Sequence, residues 1–93
     1  MDIRVEDNPA RHRYEILVDG EVGGFADYRE RDGAVVVVHS EVDPAHRGQG
    51  LGSVLAAQTL DTLRERAEKV VPACPFFARY VADHPEYDDL VVK

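Results

Sequence analysis

An α+β layered domain is predicted for this chain, an antiparallel meander followed by a helix, a strand and a second helix. Three observations predict it. Ahead of residue 43, apolar residues recur at alternate positions and are interrupted by Asp-Gly pairs, as in strands joined by hairpins. From Gly50 to Ala67 they recur at the helical period. Between these regions lies Arg47-Gly48-Gln49-Gly50-Leu51-Gly52, a run with glycine at alternate positions that leaves a strand and opens a helix.

Each element has its own signature. Ile3 to Glu6 reads as a short edge strand, and Tyr14, Ile16 and Val18 alternate with Glu15 and Leu17 as in a half-buried strand. Asp19-Gly20 supplies hairpin turn chemistry, and Val22 to Tyr28 forms the return strand. Arg31-Asp32-Gly33 marks a second turn, before Ala34 to Val42. The consecutive valines 35–38 in that strand predict burial on both faces. Leu51, Val54, Leu55, Leu60, Leu63 and Ala67 form the helix's apolar stripe, with Arg64, Glu65 and Glu68 near its end. Lys69-Val70-Val71-Pro72 is a short strand expected beside the valine strand. Pro75 suits the first turn of a helix with Phe76, Phe77, Tyr80 and Val81 on its apolar side, and Pro85 stops it.

Composition narrows the class. A chain of 93 residues, 44% apolar and 31% charged, is expected to fold as one domain over residues 1–93. Cys74 is the single cysteine, so no intrachain disulfide can form, which favours the cytoplasm. Charges spread through the first twenty residues leave no apolar signal core. No apolar run approaches the ~20 residues of a membrane span, so no membrane partner is expected. The formal charge of −7 argues against a nucleic-acid partner and is compatible with cationic substrates such as amines.

The glycine run and the helix start behind it describe a phosphate seat, because unpaired N–H groups and the positive end of the helix dipole converge there. A triphosphate-binding loop is excluded, since no lysine follows the glycines. A dinucleotide loop is excluded too: Ser53 stands where its third glycine belongs, and the chain opens on hairpins. The pattern [QR]-x-x-G-x-[GA] is matched by Arg47 through Gly52 without a mismatch. In that pattern the segment resembles the coenzyme A pyrophosphate loop of the GCN5-related N-acetyltransferases. The resemblance extends through His39-Ser40-Glu41-Val42-Asp43-Pro44, Cys74-Pro75-Phe76, Tyr80 and His84-Pro85-Glu86-Tyr87. In these it is similar to the minimal members of the family, which lack the helices that most members insert after the first strand.

The resemblance implies a three-layer α/β/α-type domain that takes acetyl-CoA as co-substrate, with Arg47, Gly48, Gln49, Gly50, Leu51, Gly52 and Ser53 around its phosphates. It implies that the backbone of Glu41 and Val42 pairs with the pantetheine arm, that Cys74 lies at the acyl end, and that Phe76 also contacts the cofactor. A plain tight turn is the structural alternative for the glycines.

Acetyl transfer to an amine requires a proton acceptor, a polarised thioester and a proton for the leaving thiolate. Glu41 is the candidate base, sharing a face with His39 by period-two alternation; a solvated carboxylate is its plainer reading. Cys74 is the candidate nucleophile, against the reading of a small buried apolar residue. Tyr80 is the candidate acid, against simple packing on Phe76. Asp83, Glu86, Asp88 and Asp89 form an acidic stretch without a neighbouring base. The scattered histidines and lone cysteine predict no metal, and no hydrolase triad is present.

The predicted activity is therefore acetyl-CoA-dependent transfer to a primary amine on a small molecule, a peptide, or a protein lysine or N-terminus. The alternative is an acyl-CoA-binding sensor with little or no turnover. The expected partners are acetyl-CoA and an unidentified amine acceptor, for a monomer or homodimer.

Overall fold

The computed structural model describes residues 2–46 and 48–92. Strands β1 (Ile3–Asn8), β2 (Arg13–Val18), β3 (Glu21–Arg31) and β4 (Ala34–Val42) precede α1 (Leu51–Glu65), β5 (Lys69–Pro72) and α2 (Pro75–Asp83). Short 3-10 turns cover Pro9–Arg11, Pro44–His46 and Pro85–Leu90. The α+β class and the order of elements are those the sequence predicts.

The sheet runs β1-β2-β3-β4-β5, antiparallel throughout except for the parallel β4–β5 pair. Two-residue turns set its first registers. Asp19 and Gly20 (φ 50° and 86°) and Asp32 and Gly33 (φ 52° and 78°) all adopt left-handed backbone, as type I′ hairpin turns demand. The parallel pair needs a crossover, which α1 supplies.

One face of the sheet carries Tyr14, Ile16, Val18, Ala26, Tyr28, Val35 and Val37, all buried. They form a single core with Leu51, Leu55, Leu60 and Leu63 of α1 and Phe77 of α2. Of a three-layer arrangement, the described residues supply the sheet and one helical layer.

The valine strand departs from expectation. Val35 and Val37 are buried, but Val36 is half-buried and Val38 is 38% exposed. Burial on both faces requires a cover on both, and the helices cover one. A bulge also intervenes: Tyr28 pairs with Val37 while Asp27 pairs with His39, leaving Val38 as the extra residue. In α1 the stripe includes Ala56 and Thr59, and Ala67 lies outside it. The helix ends at Glu65, and exposed Ala67 turns left-handed with φ 56°.

Polar contacts fasten the edges. Tyr28 Oη donates to Asp7 Oδ1 at 2.6 Å, and Arg66 Nη1 donates to Asp7 Oδ2 at 2.9 Å, so the end of α1 grips edge strand β1. Burial pushes the Tyr14 phenol, 3.3 Å from the Arg66 guanidinium, up to about 12. At the other end, Arg64 donates to both Asp89 carboxylate oxygens at 2.9 and 3.0 Å and to the Glu86 carbonyl. Lys69 donates to the Asp89 carbonyl, and Arg79 lies 3.7 Å from Asp83. The acidic stretch is therefore balanced by cations from α1, β5 and α2, most of them distant in sequence.

Candidate active site

Strand β4 is flanked on both sides only along its first half. Ala34 to Val37 pair with Lys69 to Pro72, and the Cys74 N–H then donates to the Val37 carbonyl at 2.8 Å. Beyond that point β5 has ended at proline, and Pro75 in the first turn of α2 carries the chain away. Residues 38–42 continue along β3 alone, and a cleft opens between them and the helices. Asp43 N–H donates to the Gly23 carbonyl at 2.8 Å. By the alternation of an antiparallel ladder, the polar backbone groups of Ser40 and Val42 point away from β3 and into this opening.

The glycine run closes one end of the cleft. Gly48 (φ 80°) and Gly50 (φ 73°) occupy left-handed backbone that a side chain would strain. Gly50 caps α1, and the first helical bond runs from Val54 N–H to Gly50 at 3.3 Å. The N–H groups of Leu51, Gly52 and Ser53 precede that bond and point outward from the helix start. No acidic residue occupies the first turn. Gly52 differs, since a Cβ there would come within 3.1 Å of Phe76 Cζ and press on that exposed ring. The expectation for Arg47 lies outside the described residues.

Phe76 is 44% exposed and links two recesses. A cavity of about 140 Å³ is lined by Ser40, Glu41, Val42, Leu55, Gly52 and Phe76. A second, of about 280 Å³, shares Val42, Gly52 and Phe76 and extends past His46, Gly48, Gly50 and Ser53. Together they trace a path from the helix start to the point where β4 and β5 part. His46 and Gln49 brace the loop through a 3.3 Å contact between Nδ1 and Oε1.

At the inner end, Cys74 Sγ lies 3.2 Å from Ser40 Oγ, with Cys74 buried at 3% exposure. His39 Nε2 lies 3.5 Å from Glu41 Oε2, both side chains being more than half exposed. The bulge turns Ser40 toward the helices and leaves His39 and Glu41 on the opposite sheet face. Thus Ser40 and Cys74 meet on the helix side, while the base candidates stand on the far side of the same strand.

Tyr80 is not brought to this cleft. Its ring stacks on His84 with centroids 3.9 Å apart and lies 6.2 Å from Tyr87. The His84 ring contacts the Tyr80 carbonyl at 2.8 Å. Burial raises the Tyr80 phenol above its ordinary value, so it holds its proton. The helical period had placed Tyr80 one turn beyond Phe76, but the tail residues claim its ring.

Two participants were missed by sequence reasoning. Ser40 faces Cys74 only because the bulge reverses the side-chain alternation. Gly24 sits opposite Val42, where a Cβ would lie 2.7 Å from the Glu41 carbonyl. The Gly23-Gly24 pair inside a strand is the signal that would have found it, since glycine there marks a bulge or close backbone approach.

Residues 13–90 match the family model described as GCN5-related N-acetyl-transferase. The chain belongs to that family. It is 36% identical over 63 residues to streptothricin acetyltransferase from Streptomyces lavendulae, an alignment covering 66% of this chain and 33% of the relative. The alignment thus spans about a third of that relative's length. In fold, the chain is similar to a GCN5-like protein from Staphylococcus aureus at TM-score 0.72, with 20% identity over 96% of this chain and 87% of the other. It is also similar to a GCN5-related N-acetyltransferase from Sphaerobacter thermophilus at TM-score 0.50, with 24% identity, covering 80% of this chain and 28% of that one.

Proposed function

We propose that this protein transfers an acetyl group from acetyl-CoA to a primary amine. The observation that carries the reading is the continuous path from the glycine-rich start of α1, past Gly52 and Phe76, to the parting of β4 and β5. Its helix end suits a diphosphate, each exposed anion–dipole contact contributing ~0.3–1 kcal/mol, so several N–H groups act together. The outward backbone groups of Ser40 and Val42 suit the amide-bearing pantetheine arm, as a sheet edge receives an extended peptide. The backbone of Glu41, between them, turns to β3 instead.

In direct transfer the amine lone pair attacks the thioester carbonyl, the C–S bond breaks, and the amine's proton passes to Glu41, directly or through water. His39 beside Glu41 is placed to share that proton. In the covalent route the Cys74 thiolate takes the acetyl group first and the amine then removes it. Ser40 Oγ, 3.2 Å from the sulfur, is positioned to accept a hydrogen bond from the thiol or to donate one to the thiolate.

Thiol release from acetyl-CoA across an amine panel tests the reading. Amine-dependent release that collapses in Glu41→Gln or Cys74→Ala supports it. Tight acetyl-CoA binding with no amine dependence would leave an acyl-CoA-binding module instead. Mass spectrometry after brief incubation with acetyl-CoA separates the routes, since only the covalent one leaves an acetyl adduct on Cys74.

A further inference from the structure

The sheet has two edges, and the described residues cover one of them. At β5, Val70 bridges Val91, and the Val92 N–H donates to the Val70 carbonyl at 3.0 Å. At the other end of the strand order stands β1, with no described strand beyond it. The Asp19 N–H donates to the Asp2 carbonyl opposite it, which sets the alternation along β1. Arg4, Glu6 and Asn8 therefore turn their backbone groups to Leu17, Glu15 and Arg13. Ile3, Val5 and Asp7 turn theirs outward, a row of open donors and acceptors. We propose that this edge is an interface between two copies of the chain, joined antiparallel about Val5. Val5 then meets its own counterpart, Ile3 meets the partner's Asp7, and Arg4 meets the partner's Glu6.

Charge selects that register. Ile3 and Val5 lie opposite buried Val18 and Ile16, so Arg4 and Glu6 project from the face away from the helices, and both are exposed. Glu6 stands directly opposite Glu15, a like-charge pair that is unfavourable, and Glu15 is already held by Arg13. Among the described residues Glu6 takes part in no ion pair. Centring the two strands one residue earlier would set Arg4 against Arg4, and one residue later Glu6 against Glu6. The Val5 centre sets opposite charges face to face on both sides of the two-fold axis. Charged edge residues of one sign repel a second copy; Arg4 and Glu6 alternate in sign and attract one. The helix side adds apolar burial, because half-buried Ile3 and Val5 stand at the rim of the core, where the partner's Val5 closes over them. Asp7 does not obstruct this side, since Tyr28 and Arg66 already hold its carboxylate.

The interface is independent of the acetyl-transfer reading, as β2 and β3 separate β1 from β4. An edge of six residues makes a small contact, so the association is weak. Sedimentation velocity on the whole chain from about 10 μM to about 1 mM tests it, and a monomer–dimer equilibrium is expected. Glu6→Lys sets lysine against the partner's Arg4 while relieving the contact with Glu15 inside the chain. It should raise the dissociation constant about tenfold. Adding Arg4→Glu restores opposite charges and should return the constant to within about threefold of the parent. At high concentration, hydrogen exchange should slow at the amides of Ile3, Val5 and Asp7 and stay unchanged at Arg4 and Glu6, which already bond to β2. A monomer throughout the range, equal association of parent and Glu6→Lys, or protection gained at β5 in place of β1 would overturn the proposal. A folded double variant that stays monomeric would do the same.

Discussion

The two halves of β4 are one strand with two occupations. Ala34 to Val37 lie between β3 and β5, with Val35 and Val37 in the core. The following residues keep β3 as a neighbour and lose β5, and there the side chains become histidine, serine and glutamate. A fully flanked strand has its backbone groups satisfied within the sheet and its inner side chains buried. A half-flanked strand keeps the rigidity of one ladder while offering its other side to a ligand. Rigid support and chemical availability are thereby placed a few ångströms apart in the same element.

The sharpest way to break this comparison is to place the same charge on each side of the boundary. Val37→Asp buries a carboxylate in a fully buried position and is expected to destabilise by about 4 kcal/mol or more, enough to abolish cooperative thermal unfolding. Val38→Asp, one residue on, should stay within about 0.5 kcal/mol of the parent in urea titration. Next in size is Gly24→Ala, whose Cβ meets the Glu41 carbonyl at 2.7 Å. A loss of about 1–3 kcal/mol in urea midpoint analysis is expected, with weaker coenzyme A binding by calorimetry because the end of β4 must shift.

Smaller effects distinguish the glycines of the loop. Gly50→Ala meets no atom within 4 Å, so its penalty is backbone strain at φ 73°, about 1–2 kcal/mol. Gly52→Ala instead presses on the exposed Phe76 ring, which can move. Its stability should change by less than about 0.5 kcal/mol while coenzyme A affinity falls, since the ring stands on the cofactor path. Equal losses of stability in the two variants would contradict these separate roles.

The smallest effect lies far from the site. Arg64 holds the Asp89 carboxyl below its ordinary value of 3.8. A depressed folded value contributes stability above the unfolded value, and that contribution fades as pH falls through the folded one. Asp89→Asn should therefore be slightly less stable near neutrality and should show a shallower stability loss on acidification, measured as melting temperature against pH.

Where signals are local, the chain reads clearly. Asp-Gly pairs specify both hairpin turns because only left-handed backbone closes them. Alternate glycines before a helix mark the loop because the left-handed backbone at Gly48 and Gly50 would strain a side chain. The places of Glu41 near the end of β4 and of Cys74 just after β5 were legible too. What escaped was whatever depends on pairing across the fold. The inward turn of Ser40 depends on a bulge opposite Asp27 and Tyr28, and the capture of Asp89 depends on Arg64, twenty-five positions away. Helical spacing put Tyr80 one turn beyond Phe76, but its stacking on His84 and its contact with Tyr87 depend on the fold of the tail.

The extra residue at Val38 also fixes how this chain tolerates change. A regular strand carries one phase, with core positions all odd or all even. Here the phase reverses midway: odd positions 35 and 37 face the core, then even positions 40 and 42 do. A saturation-mutagenesis profile along β4 should show the same reversal, and deletion of Val38 should remove the bulge yet leave Ser40 facing the helices and Glu41 facing away, because the pairs Tyr28–Val37, Asp27–His39 and Ala26–Ser40 then run on without a break.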